Sequence, residues 1–182
     1  MNYKTAEQLM IPIFDYPHIT YWSSVRDAID LMQHSTIETN NRKSMARSIL
    51  VFDEENKLIG IVRRRDILKG LEPEELFGSQ IYQERQWFSL DIDPNLLEVS
   101  YESLLRKLIH RANMPVSEIM RPISHTVNYN DHLLKVIFEL SQYNQSLIPV
   151  IKDDIVIGVI RTVELLAEIA KEIGRASCRE RM

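Results

Sequence analysis

Two apolar runs separated by a short polar turn, then a charged start to a helix, occur twice along this 182-residue chain. In the first instance, residues 48–70, positions 49–52 are apolar, 53–57 polar and acidic, and 58–62 apolar again, with Arg63-Arg64-Arg65-Asp66 following. The period-2 alternation, the β-branched content and the polar turn predict a hairpin leading into a short helix. Apolar residues on both faces of the second run predict a strand covered on both sides. Residues 146–169 repeat the pattern, Gly158-Val159-Ile160-Arg161 standing against Gly60-Ile61-Val62-Arg63.

The repetition extends upstream. Residues 5–13, TAEQLMIPI, align with 115–123, PVSEIMRPI, and share the methionine, proline and isoleucine columns. Each copy then carries apolar positions at helical spacing, Val25, Ala28, Ile29 and Met32 in one and Leu133, Val136, Ile137 and Leu140 in the other. An internal duplication accounts for all of these matches.

In the first copy the pattern predicts a helical lead over 5–10, stopped ahead of Pro12, and a strand over 18–21. A helix over 25–33 follows, capped by Ser23 or Ser24. Residues 35–47 are polar and longer than a connection needs, which predicts a surface excursion with room for a helical turn. In the second copy a helix over 132–142 is capped by Asn130 or Asp131. A hairpin over 147–160 turns at Lys152-Asp153-Asp154, and a last helix spans 163–173. Between the copies, residues 71–114 form an insertion whose second half, with Leu97, Tyr101, Leu104, Leu105, Leu108 and Ile109, reads as a helix. Its first half carries Phe77, Tyr82, Trp87 and Phe88. The insertion either caps the core or presents these aromatics to a partner.

The order strand, helix, strand, strand, helix, with a Met-x-Pro lead and an apolar Gly-led strand exiting towards Asp66, resembles a tandem pair of CBS domains, also called a Bateman module. In detail it resembles stand-alone bacterial CBS-pair proteins with an insertion between the repeats. The resemblance implies a sandwich-like α+β fold: two β-α-β-β-α repeats, 1–70 and 115–172, packed through their sheets with pseudo-two-fold symmetry. It also implies a regulatory module rather than an enzyme, a homodimer, and an adenosyl ligand (AMP, ADP, ATP or S-adenosylmethionine) in the cleft between repeats.

In the family an acid after the glycine strand accepts the ribose hydroxyls, as the two oxygens of a carboxylate suit a vicinal diol. A hydroxyl residue ahead of it helps hold phosphate. Asp66 stands at the acid position and Glu164, one methylene longer, at its counterpart. The hydroxyl position departs from the family in both copies, being Arg63 and Arg161. Either the arginines hold phosphate through a bidentate fork, or they salt-bridge across the pseudo-two-fold and close the clefts. Adenine would need an apolar slot, for which Ile13, Ile19, Ile123 and Val127 are candidates, with Thr20 beside them. Without a ligand the same side chains are core, and Asp66 is a helix-start acid favoured by the dipole. The competing reading is a nucleotide-independent interaction and oligomerisation module with arginine-closed clefts.

Composition narrows the partners. A net charge of −4 and a pI near 5.8 argue against a surface for duplex nucleic acid. No apolar run nears the roughly 20 residues needed to span a bilayer, and the first residues lack an apolar signal core, so a cytoplasmic location is expected. The five histidines show no i, i+4 pairing, no glycine cluster forms a phosphate loop, and no serine sits in a nucleophile elbow; no metal and no catalytic residue is expected. The stretch 172–181, EIGRASCRER, resembles translated sequencing-adapter read-through, so 173–182 is expected to be a non-native tail that includes the single cysteine, Cys178. Its three arginines against one glutamate leave a charge of −6 on residues 1–172.

Overall fold

The computed structural model describes residues 4–39, 42–72 and 101–179. The first duplicated hairpin is β5 (Ser48–Phe52) and β6 (Leu58–Arg63), antiparallel, with β2 (His18–Thr20) parallel to β5. The second is β9 (Leu147–Lys152) and β10 (Ile155–Arg161), antiparallel, with β8 (Val127–Asn128) parallel to β9. Asp153 and Asp154 both take positive φ, 49° and 63°, as the two-residue turn between β9 and β10 requires.

Each sheet is completed by the lead segment of the other repeat. β1 (Ile11–Pro12) pairs with β10, and β7 (Arg121–Pro122) pairs with β6. The sheets therefore run β2-β5-β6-β7 and β1-β10-β9-β8. The exchange explains two motifs at once: a Cβ on Gly60 would lie 2.6 Å from Met120 Sδ, and one on Gly158 would lie 2.6 Å from the Ile11 carbonyl and 2.7 Å from Met10 Sδ. The glycine of one repeat thus makes room for the Met-x-Pro of the other.

Among the described residues six α-helices flank the sheets: α1 (Ala6–Leu9), α2 (Val25–His34), α3 (Arg64–Leu71), α4 (Tyr101–Ala112), α5 (Leu133–Gln142) and α6 (Thr162–Arg179). Ser24 caps α2 as its sequence predicts, accepting the Asp27 amide at 3.1 Å. The helix also receives a partner from afar, its first amide donating to the Met114 carbonyl at 2.9 Å. The cap expected for α5 differs. His132 holds the cap position but its side chain does not cap the helix, and the Leu133 amide donates to the Lys4 carbonyl at 3.2 Å, so the other repeat's lead does the capping. Asp131 instead accepts the Asn128 amide at 2.8 Å and pairs with Lys135.

Two further elements depart from expectation. The described residues of 35–47 form no helical turn; they build an antiparallel pair of β3 (Thr36–Thr39) and β4 (Arg42–Met45), with Ile37 and Ala46 fully buried. α6 runs through Gly174 to Arg179, beyond its expected end at 173. The apolar period marks where packing stops, whereas helical hydrogen bonding is local and propagates past the last packed turn, Gly174 included. α4 matches the second half of the insertion and packs on α2 and α3, Arg111 donating to the Gly70 carbonyl at 3.2 Å. Phe77, Tyr82, Trp87 and Phe88 lie outside the described residues. Among the described residues no helix is long and apolar enough to cross a membrane.

Among the described residues three buried clusters result. One combines Ala6 and Leu9 with Val127, Val136, Ile148, Val150 and Ile160; another combines Val25, Ala28, Ile49, Val51 and Val62 with Val116. The third, between the sheets, joins Ile11, Tyr16, Ile37, Leu50, Leu147 and Val159. Each cluster mixes residues of both copies, so the repeats fold as one packed unit.

Candidate functional site

Each glycine strand ends in an arginine and hands over to a helix whose third position is acidic. At the first of these, Asp66 is 7% exposed and accepts four hydrogen bonds. Its Oδ2 takes the Arg63 amide at 3.1 Å and Arg63 Nε at 2.9 Å; its Oδ1 takes Arg63 Nη2 at 3.0 Å and Arg121 Nε at 3.0 Å. Burial pushes the Asp66 carboxyl up, but the bonds from Arg63 and Arg121 outweigh it and hold the pKa below the ordinary carboxylate value. The bond to Asp66 in turn raises the pKa of the Arg63 guanidinium, against a smaller effect of burial. Asp66 thus fixes two guanidiniums, one from each repeat, beside each other.

Both guanidiniums line a cavity of about 370 Å³ between the repeats. Ser48 and Ile61 of the first repeat form one wall. Pro122, Ile123, Ser124 and His125 form another, and residues 143–147 with Pro149 close the far side. His125 stacks on Tyr143 with ring centroids 3.3 Å apart and planes 15° from parallel. Gln145 Nε2 donates to Ser124 Oγ at 3.3 Å. The connection from α5 to β9 is only four residues, 143–146, with Asn144 in the left-handed region at φ 49°. Its shortness leaves the cavity open.

The corresponding place in the second copy is closed. Arg161 donates through Nε and Nη2 to the two oxygens of Glu164, Nε at 2.7 Å, and the two residues are 8% and 9% exposed. Arg161 Nη1 also donates to Ser44 Oγ at 3.1 Å, and Thr39 Oγ1 donates to Glu164 Oε1 at 3.2 Å. Beneath them the Tyr16 hydroxyl and Ser48 Oγ share a buried hydrogen bond of 2.9 Å.

The family model described as CBS domain matches residues 9–73 and again 116–171. The chain belongs to the CBS-domain family. As a CBS pair it is similar in fold to a CBS domain-containing protein from Kribbella flavida (19% identity, TM-score 0.62, 92% of this chain and 98% of that one). It is also similar to CBSX2 in complex with AMP (18%, 0.59, 92% and 96%). The cytosolic domain of the Mg2+ channel MgtE in complex with ATP gives 16% and 0.57, over 91% of this chain and 49% of that one. No curated protein sequence matches the chain.

Of the residues singled out in this CBS pair, Arg63 and Ile123 line the open cavity, and Asp66 stands behind Arg63. Arg161 and Glu164 pair under the β3–β4 hairpin. Ile19 packs against a core cluster and Val127 is buried in another. Thr20 Oγ1 shares a hydrogen bond with Ser23 Oγ at 2.8 Å at the end of β2. Ile13 lies against the cluster between the sheets. Arg121, His125 and Tyr143 line the cavity but carry no signal in their own repeat. Arg121 is the variable position of Met-x-Pro, and its meaning emerges only once that segment docks beside Gly60.

Proposed function

We propose that this CBS pair is a regulatory module whose open cleft takes an anionic adenine nucleotide. The observation that carries the reading is the pair Arg63 and Arg121, one from each repeat, fixed by Asp66 on the wall of a cavity of about 370 Å³. Guanidiniums form charge-assisted, fork-shaped bonds with phosphate. S-adenosylmethionine, with a sulfonium and an ammonium, suits this wall less well than AMP, ADP or ATP. The stacked His125 and Tyr143 offer an aromatic edge to a base, and Ile123 and Pro122 an apolar one. Asp66 serves the ligand through its arginines, since its four acceptor positions are already taken. A phosphate bridging Arg63 and Arg121 would add a second tie between the repeats at the β6–β7 seam, which Asp66 already spans, and through it occupancy would bear on their packing. The AMP and ATP bound by two of the similar structures support the ligand class. We infer as well that two chains pair through the exposed apolar stripes of α5 and α6.

Thermal unfolding against AMP, ADP, ATP, S-adenosylmethionine and adenosine tests the reading. A nucleotide at 100 times its Kd adds about 2.7 kcal/mol, a rise of roughly 5 to 10 °C for a chain of this size. Phosphorylated ligands are expected to give the shift, and Arg121→Ala to weaken their binding about tenfold or more. A cooperatively unfolding sample that none of the nucleotides shifts would favour the nucleotide-independent interaction module instead.

A further inference from the structure

The pseudo-two-fold maps the open cavity onto a second cleft, position by position. Ile61, which pairs with Leu50, is the counterpart of Val159, which pairs with Pro149; Arg63 is the counterpart of Arg161, and Arg121 and Ile123 are those of Ile11 and Ile13. In the first cleft these positions face a void. In the second, Ile11, Leu50 and Val159 belong to one buried cluster, with Ile13 packed on it, and five further side chains complete that cluster: Tyr16, Ile37, Ala46, Leu58 and Leu147. Of these, Ile37 lies in β3 and Ala46 directly follows β4. The difference between clefts is one of chain length, since α2 and β5 are joined by thirteen residues, 35–47, and α5 and β9 by four, 143–146.

The hairpin also meets the polar end of the cleft. Thr39 donates its hydroxyl to Glu164, and Ser44 accepts from Arg161. Apolar filling and two hydroxyls against an acid and a guanidinium are the complement that an adenosyl ligand would offer to the same positions.

We infer that the β3–β4 hairpin is an internal plug, a permanent occupant of the second cleft that limits the chain to one nucleotide. Beneath it lies a latent site for the same class of ligand. The count of one rests on the reading of the open cleft proposed above; the closure by the hairpin does not. The asymmetry gives the module a single signal input, with the second cleft converted into core that holds the repeats together.

Arginine labelling with phenylglyoxal, read at each arginine by peptide mass spectrometry, separates the two ideas. In the full chain Arg121 is expected to label readily and Arg161 at least tenfold more slowly, with AMP protecting Arg63 and Arg121 only and calorimetry counting one AMP per chain. Replacing residues 35–47 by Tyr-Asn-Gln-Ser, the connection of the second repeat, should expose Arg161 to labelling and raise the count to two. Labelling of Arg161 at the rate of Arg121 in the full chain, or two AMP bound there, overturns the plug. A protected Arg161 with no AMP bound anywhere retains the plug and rejects the nucleotide reading. The full-chain labelling decides the matter even if the shortened variant does not fold.

Discussion

Arg63 and Arg161 are the same residue at the same position of the same motif, and their surroundings give them different work. Both fork onto the acid three residues on, an arrangement the sequence places within reach at a helix start. Arg63 then looks into an open cavity with Arg121 beside it, while Arg161 is sealed by Ser44 and Thr39. Asp66 is the residue whose loss should be most widely felt. Its folded pKa lies below the ordinary aspartate value of 3.8, so its contribution to stability is present above about pH 3.8 and is lost as pH falls through the folded value. Asp66→Asn is therefore expected to cost about 1 to 3 kcal/mol at neutral pH, the gap to the parent chain narrowing in acid. Urea unfolding of both chains at pH 7 and pH 3 measures this, and a gap unchanged between the two would refute the assignment. The acid position was legible in the sequence; its second arginine was not, because Arg121 lies 55 positions away.

At the scale of elements, local pattern was a good guide wherever the partner of an element is its neighbour in the chain. The two central hairpins, α2 with its Ser24 cap, and α4 all follow from spacing and turn chemistry. The β3–β4 hairpin did not, because among the described residues of this mostly polar stretch Ile37 and Ala46 are the buried apolar anchors, and two anchors set no period. α5 and α6 present a further feature: Leu134 and Phe138 on one, and Val163 and Leu166 on the other, remain exposed at helical spacing. A homodimer joined there would cover them. Sedimentation equilibrium should report twice the chain mass for the parent and a single mass for the double variant Phe138→Glu, Leu166→Glu. Because these residues are exposed, the stability of the variant's fold should change by only about 0.5 kcal/mol. A monomeric parent chain would sink the pairing.

For the whole molecule the organising fact is the exchange of lead segments, each Met-x-Pro docking against the other repeat's glycine. Gly158→Ala would place its Cβ against the Ile11 carbonyl at 2.6 Å, so the backbone of β1 must move. Gly60→Ala meets chiefly the Met120 thioether, which can turn aside, its nearest backbone atom being 3.0 Å away. Both should destabilise, Gly158→Ala by about 1 to 3 kcal/mol and Gly60→Ala by less; denaturant midpoints give the order, and equal midpoints would contradict the docking account. The duplication, the α+β class and the principal strands and helices were determined by the sequence itself, because each is written as a local period, a cap or a repeated motif. Only the tertiary structure decided which lead docks on which sheet, what caps α5, and which cleft is filled. Those outcomes depend on contacts such as Thr39 with Glu164, 125 positions apart, and a pairing over that distance leaves no period in the chain for a reader to find.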